Sequence, residues 1–397
     1  MGKLAIKGGV PVRSGKSFPG WPQSGQNERE KLIGIYESGN LGGGTEVEAF
    51  AERFALYSDT KYCIPMANGT VTLEMTMRAL EIGRGDEVIL PPYTFIATLS
   101  SIIFAGATPV FADIDRETYN ISPESIAAKI TPKTKAVIAV CVGGRPIDVD
   151  AIQKVTDEKG VYLIIDAAQG VGSAWSGKSL GKYGIAASIS CQNSKNLTAG
   201  EGGIIITDSD LIYNKTTEML NDSCCYNNIY QDNNMTAFQA GIMNVQMDRL
   251  DEQITKRMDN AAYLDKRLNE TGIVSSLKID GRITRNSYHL YLCRFNYEKL
   301  AELDVDRNKF IAALNAEGVG ISNGYMPLYT FPCVSSDYTE KILGSKVDVS
   351  PLPECEIASY KEGAWMYQSV MLGEISDMDD IADAVIKIYE NIEELRD

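Results

Sequence analysis

From residue 62 to residue 207, short apolar runs alternate with segments of helical period, and this alternation constrains the fold more than any other feature. YCIPMA, EVILPP, TPVFADID, KAVIAVCV and VYLIIDAA read as strands. Between them VTLEMTMRALEI, TFIATLSSIIFAG, SPESIAAKI and DVDAIQKVTDEKG read as helices. A strand that is apolar throughout must be covered on both faces, so the pattern predicts a mostly parallel sheet sandwiched by helices. Upstream, EVEAFAERFALYS predicts a helix with Val47, Phe50, Phe54 and Leu56 near helical spacing. From about 208 to 270 the chain turns helical and polar, and DMDDIADAVIKIYENIEEL closes it as an amphipathic helix with Ile381, Ala384, Val385 and Ile388 on one face. At 397 residues the chain is long enough for two domains. The expected division is a large α/β domain over residues 1–250, with an N-terminal arm, and a smaller α+β domain over 251–397.

Composition removes several function classes. Thirty-eight Lys and Arg against 53 Asp and Glu leave a net charge of −15, which repels phosphate backbones and anionic lipid, so neither nucleic acid nor membrane is an expected partner. No stretch reaches the ~20 apolar residues of a membrane helix. The first residues lack the apolar core of a secretory signal, so a cytoplasmic location is expected. Eight cysteines are scattered without a CxxC pair beside a single histidine, His289, so no metal site is expected. Catalysis by a Ser–His or Cys–His pair would have to run through His289 alone.

In an open α/β sheet, ligands sit beyond the carboxyl ends of the strands, which directs attention to three places. Asn68-Gly69-Thr70 lies between a strand and a helix. A helix N-terminus suits a phosphate, although Asn or Thr there can equally be a plain cap. Asp166 ends the strand VYLIID. A carboxylate there either caps the next turn or needs a cation, such as a protonated heterocyclic nitrogen. Lys195 lies between a strand and the Gly-rich turn Gly200–Gly203. It is either an exposed loop lysine or, if partly desolvated, a nucleophilic amine with a lowered pKa. A fourth stretch, Gly172–Ser179 (GSAWSGKS), matches the phosphate-loop spacing G-x-x-x-x-G-K-[ST]. That spacing needs a strand directly before it and a helix directly after, and Leu180–Gly184 is poor helix material, so a surface turn is expected.

Taken in order, NGT, GDEVILPPYTFIAT, PVFADID, IIDAAQ and SKNLTAGEGG resemble the DegT/StrS-type sugar aminotransferases over nearly the whole chain. Within that family the opening LAIKGGVPVR and the segment NGTVTLE most resemble the branch that aminates scyllo-inosose-type ketones. The resemblance implies the pyridoxal 5′-phosphate-dependent transferase fold of type I and an aminotransferase that moves an amino group from L-glutamine or L-glutamate to a keto-sugar or keto-cyclitol. It implies a homodimer with shared active sites. By position, Lys195 matches the lysine that binds the cofactor's aldehyde, and Asp166 the carboxylate facing its ring nitrogen. Gln169 matches a neighbour of the ring's 3-oxygen, Phe95 the aromatic stacked on the ring, and Gly69, Thr70 and Ser190 the phosphate contacts. Asn234, with Asn233 as substitute, matches the asparagine that reaches the partner's cofactor. Gln192 falls at a cofactor contact where many relatives carry His, and Cys141 where relatives often carry His. The resemblance leaves two alternatives: an aminohydroxybenzoate-synthase-like enzyme and a catalytically silent member of the fold. A nucleotide-binding protein using Gly172–Ser179 is a third.

Overall fold

The computed structural model describes residues 2–221 and 230–396. Nine strands are placed before residue 210: β1 (Tyr62–Met66), β2 (Glu87–Leu90), β3 (Thr108–Phe111), β4 (Thr134–Val140), β5 (Tyr162–Asp166), β6 (Ala174–Trp175), β7 (Lys178–Ser179), β8 (Ala186–Ser190) and β9 (Gly203–Thr207). Seven of them form one sheet in the order β1-β9-β8-β5-β4-β2-β3. Pairing is parallel from β8 through β5, β4 and β2 to β3, while β9 runs antiparallel to both of its neighbours. β8 and β9 are buried along their full length, as strands covered on both faces must be.

The helices around this sheet are α1 (Gln26–Ser38), α2 (Thr45–Tyr57), α3 (Gly69–Ala79), α4 (Ile96–Phe104), α5 (Pro123–Lys129), α6 (Val149–Lys159), α7 (Asp210–Leu220) and α8 (Ala237–Asn269). In α2 the buried stripe is Phe50 and Phe54, but Leu56 is 83% exposed. Two residues beyond Phe54 is about 200° around a helix of 3.6 residues per turn, so Leu56 points away from the sheet.

A second sheet, β10 (Val274–Ser276), β12 (Leu290–Phe295), β14 (Gly363–Tyr367) and β13 (Ile321–Ser322), lies in the order β10-β12-β14-β13, and β11 (Ile283–Arg285) joins the β6–β7 hairpin instead. The closing helix Ile375–Glu390 buries Ile381, Ala384, Val385 and Ile388 against this sheet's core. Residue 250, where the division was expected, falls inside α8: Leu250 and Ile254 pack in the first core, Ala261, Leu264 and Leu268 in the second. Leu4, Val12 and Phe18 of the N-terminal arm pack against the second core. The six described cysteines are free; five are buried and Cys333 is exposed, while Cys224 and Cys225 lie outside the described residues.

Glu317 fastens the N-terminal arm. It is fully buried and accepts from the amides of Ala5 and Val12 and from Lys387 Nζ, each at 2.9 Å. Replacing it would leave the Lys387 ammonium buried without its counter-charge. Glu317→Ala is therefore expected to cost about 3–5 kcal/mol, read as a lower denaturant midpoint. Lys387→Met in the same chain should recover part of that loss.

Candidate active site

The carboxyl ends of β1, β2, β5 and β8 open onto one cavity of about 810 Å³, within the range of small-molecule sites. Eight of the sequence-predicted residues line it: Gly69, Thr70, Phe95, Asp166, Gln169, Ser190, Gln192 and Lys195. Each reaches the edge because a strand delivers it there. Gly69 opens α3 directly after β1, Phe95 precedes α4 after β2, Asp166 is the last residue of β5, and Ser190 is the last of β8.

At the start of α3, Asn68 is the N-cap, its Oδ1 accepting from the Val71 amide at 3.0 Å. The cap and phosphate readings are compatible, because a first turn has more unpaired amides than one side chain can satisfy. Gly69 is required by contact: a Cβ there would stand 2.7 Å from Ser190 Cβ. That close approach draws the helix N-terminus and the end of β8 together.

Asp166 is 4% exposed; its Oδ2 accepts from Thr98 Oγ1 at 2.8 Å and its Oδ1 from the Ala168 amide at 3.1 Å. Burial raises its pKa above the usual carboxylate value, an effect that the two hydrogen bonds and the charge of Lys195 oppose. Desolvation lowers the Lys195 pKa from its ordinary value to about 8, against the pull of Asp166. Gln192 folds back on the turn that carries the lysine, its Oε1 accepting from Ser194 N and Oγ, both at 2.9 Å. Gln169 Oε1 accepts from the Gly143 amide at 2.7 Å, and its Nε2 donates to Tyr325 Oη at 2.9 Å. Phe95 is 57% exposed on the cavity wall.

Asn234 is not among the residues lining this cavity. It is exposed, bridges to Met66 at the end of β1, and donates to Leu220 O and Asp232 Oδ1. Positions 226–229 of its loop lie outside the described residues. Gly172–Ser179 runs into the β6–β7 hairpin, turning at Ser176 and Gly177 with φ of 47° and 77°, and only a single 3-10 turn, Leu180–Lys182, comes after it, so the lysine sits in a hairpin and not at the start of the α-helix that a phosphate loop requires.

Several lining residues escaped the sequence reading: Thr98, His289, Tyr325, Trp365 and Tyr367. Thr98 was legible in principle, one turn beyond Phe95 on the same helix. The other four come from segments that carry no motif. His289 is 4% exposed, and its Nδ1 finds no hydrogen-bond partner among the described residues. Burial, then the charges of Lys195 and Arg257, push its pKa well below 6.5. The ring should therefore stay neutral as pH falls past 6.5, where the unfolded chain would take up a proton and stability would begin to fall. It is the chain's single histidine, so its ring resonance is unambiguous by NMR. No titration step is expected between pH 8 and pH 5.5, and a step near 6.5 would contradict the assignment.

The donor set suits pyridoxal phosphate. A buried carboxylate that burial penalises matches a cationic ring nitrogen. A lysine with a lowered pKa matches an aldehyde, and a glycine-led helix N-terminus matches a phosphate.

Comparison with known proteins agrees. Residues 22–347 match the model of the DegT/DnrJ/EryC1/StrS aminotransferase family. The chain is 32% identical to an L-glutamine:2-deoxy-scyllo-inosose aminotransferase of Streptoalloteichus tenebrarius, over 99% of each chain. It is 33% identical to a 3-amino-5-hydroxybenzoate synthase of Amycolatopsis mediterranei, over 80% of this chain and 84% of that one. Among solved structures, an aminotransferase from Psychrobacter cryohalolentis superposes with a TM-score of 0.85 at 28% identity, covering 95% of this chain and 100% of the other. With its site geometry and its sequence in accord, the chain belongs to the DegT/DnrJ/EryC1/StrS aminotransferase family and is a pyridoxal-phosphate-dependent aminotransferase.

Proposed function

We propose that the enzyme moves the amino group of L-glutamine or L-glutamate to a cyclic ketone, a keto-sugar or keto-cyclitol of the scyllo-inosose type, in amino sugar or aminocyclitol biosynthesis. The observation that carries the reading is the convergence of Lys195 and Asp166 on one cavity beyond parallel strands β5 and β8. The names of the relatives favour L-glutamine as donor and a cyclitol ketone as acceptor.

When bound, pyridoxal phosphate supplies an electron-poor ring that accepts the electron pair left as a C–H bond beside nitrogen breaks. The chain's own groups do the rest. Lys195, whose pKa is lowered to about 8, binds the cofactor's aldehyde. Once displaced, its Nζ is a base near its working pH and carries the proton away from and back to carbon. Asp166, held by Thr98 and Ala168, keeps the ring nitrogen protonated. The N-terminus of α3 at Gly69 and Thr70, with Ser190, receives the phosphate. Phe95, Gln169 and Gln192, which line the same cavity, would hold the ring in place. Asn234 reaches the cofactor of a second subunit, which makes the working unit a homodimer, and the location is cytoplasmic.

The test is spectroscopic. Purified protein with cofactor should be yellow and lose that absorption on addition of L-glutamine or L-glutamate. A keto-cyclitol should then restore it and appear as its amine. Donors that leave the absorption unchanged would refute the aminotransfer reading. Formation of an aromatic, dehydrated product would instead favour the relationship to 3-amino-5-hydroxybenzoate synthase.

A further inference from the structure

A directed chain of hydrogen bonds runs from the loop after β4 into the cavity. It begins at the Gly143 amide, aimed by a left-handed turn (φ 68°), which donates to Gln169 Oε1 at 2.7 Å. A backbone N–H can only donate, so that end of the Gln169 side chain is its carbonyl. The other end is then the amide nitrogen, which can only donate to Tyr325 Oη, 2.9 Å away. Tyr325 is the acceptor in that bond. Its own hydroxyl proton is left over, and no other described residue accepts it.

The wall around that hydroxyl is aromatic. The Tyr325 ring sits edge-on to Trp365 at 4.4 Å and to Tyr93 at 5.5 Å, which fixes its direction. Along β14, Ala364 and Met366 face the second core, while Trp365 and Tyr367 line the cavity. Among the described lining residues the only lysine or arginine is Lys195, and Glu74 and Glu201 add negative charge. Such a surface suits an uncharged ring whose C–H face packs on aromatics and whose oxygens accept hydrogen bonds. It offers little to a nucleotide diphosphate, which calls for arginine.

We infer that Tyr325, aimed by Gln169, is a specificity-determining residue that donates its hydroxyl proton to an oxygen of a neutral polyhydroxylated ring, the acceptor substrate. The inference rests on the keto-cyclitol reading above and assigns the residue that recognises that substrate.

The probe is scyllo-inositol, a cyclohexanehexol without a carbonyl to aminate, with its Kd for the holoenzyme measured by calorimetry. Tyr325→Phe deletes one oxygen and should raise that Kd about three- to tenfold, more than it raises the Kd of L-glutamine. Gln169→Glu should do the same with the tyrosine still in place. A carboxylate can only accept, so it would take the Tyr325 proton and turn the hydroxyl away from the ligand. In a double-variant cycle, Gln169→Glu should therefore add nothing to the loss already present in Tyr325→Phe.

Wild-type-like scyllo-inositol binding by Tyr325→Phe would overturn the inference, as would simple addition of the two losses. If Tyr325→Phe shifted the pH dependence of the cofactor's absorption and left scyllo-inositol binding unchanged, the proton would belong to the cofactor and the inference would fall. A wild-type enzyme that responds to L-glutamine but does not bind scyllo-inositol would also refute the inference, with aminotransfer itself intact. A wild-type enzyme that responds to no amino donor would refute the function proposed above.

Discussion

Lys195→Ala is expected to abolish borohydride-fixable pyridoxal phosphate and to slow turnover by at least about 10⁴-fold, since the function proposed above assigns one amine both tasks, covalent anchor and proton carrier. Peptide mass spectrometry after reduction reads the first effect, and single-turnover absorbance the second. Cofactor that remains fixed to the protein in this variant would identify a different lysine. The wild-type amine also has a pH signature. Only the unprotonated form attacks an aldehyde. With a pKa lowered to about 8, roughly one Lys195 in ten is unprotonated at pH 7, against roughly one in three thousand for an ordinary lysine. Capture of the cofactor by cofactor-free protein should therefore rise as pH increases and level off above pH 8, well below the range of a free lysine. A rise that continued past pH 10 would mean that the desolvation is not felt in solution.

Asp166→Asn is expected to keep the site's geometry and lose about 10²–10³ in turnover. The amide can still accept from Ala168 and can donate to the Thr98 hydroxyl, so both bonds that orient Asp166 survive. The negative charge does not, and in the function proposed above that charge is what keeps the ring nitrogen protonated. Thr98→Val removes an orienting bond and leaves the charge, so its effect should be about tenfold or less. Half-reaction rates with L-glutamine separate the two. Equal losses would mean that orientation matters and charge does not.

Much of this site was readable before any fold was known, for a physical reason. A strand ends where its apolar run ends, and in a parallel sheet those ends share one edge. Asp166 at the end of VYLIID and Lys195 after SISC could be placed on that edge from local pattern alone. The reversed direction of β9 could not, because an apolar run such as GIIIT carries no sign of its direction. Leu56 shows a similar limit: counting apolar residues in a helix overstates the buried face when one falls half a turn off the stripe. Asn234 illustrates another: its match to the family placed it at a cofactor, and it does not line the cavity of its own chain.

The sequence by itself determined the alternation of strand and helix, the parallel edge, and the amine, acid and helix N-terminus that meet there. All of these follow from local periodicity and from which residue ends each run. Only the tertiary structure decided what faces them. Tyr325, Trp365, Tyr367 and His289 reach the cavity because α8 carries the chain across to a second sheet, whose strand β14 and the residues just before β12 and after β13 form part of the cavity wall. Tyr325 and Gln169 are 156 residues apart, and their hydrogen bond depends on a backbone amide at Gly143. Contacts that distant leave no periodic trace, because they are set by how two cores pack and not by the order of residues along either one.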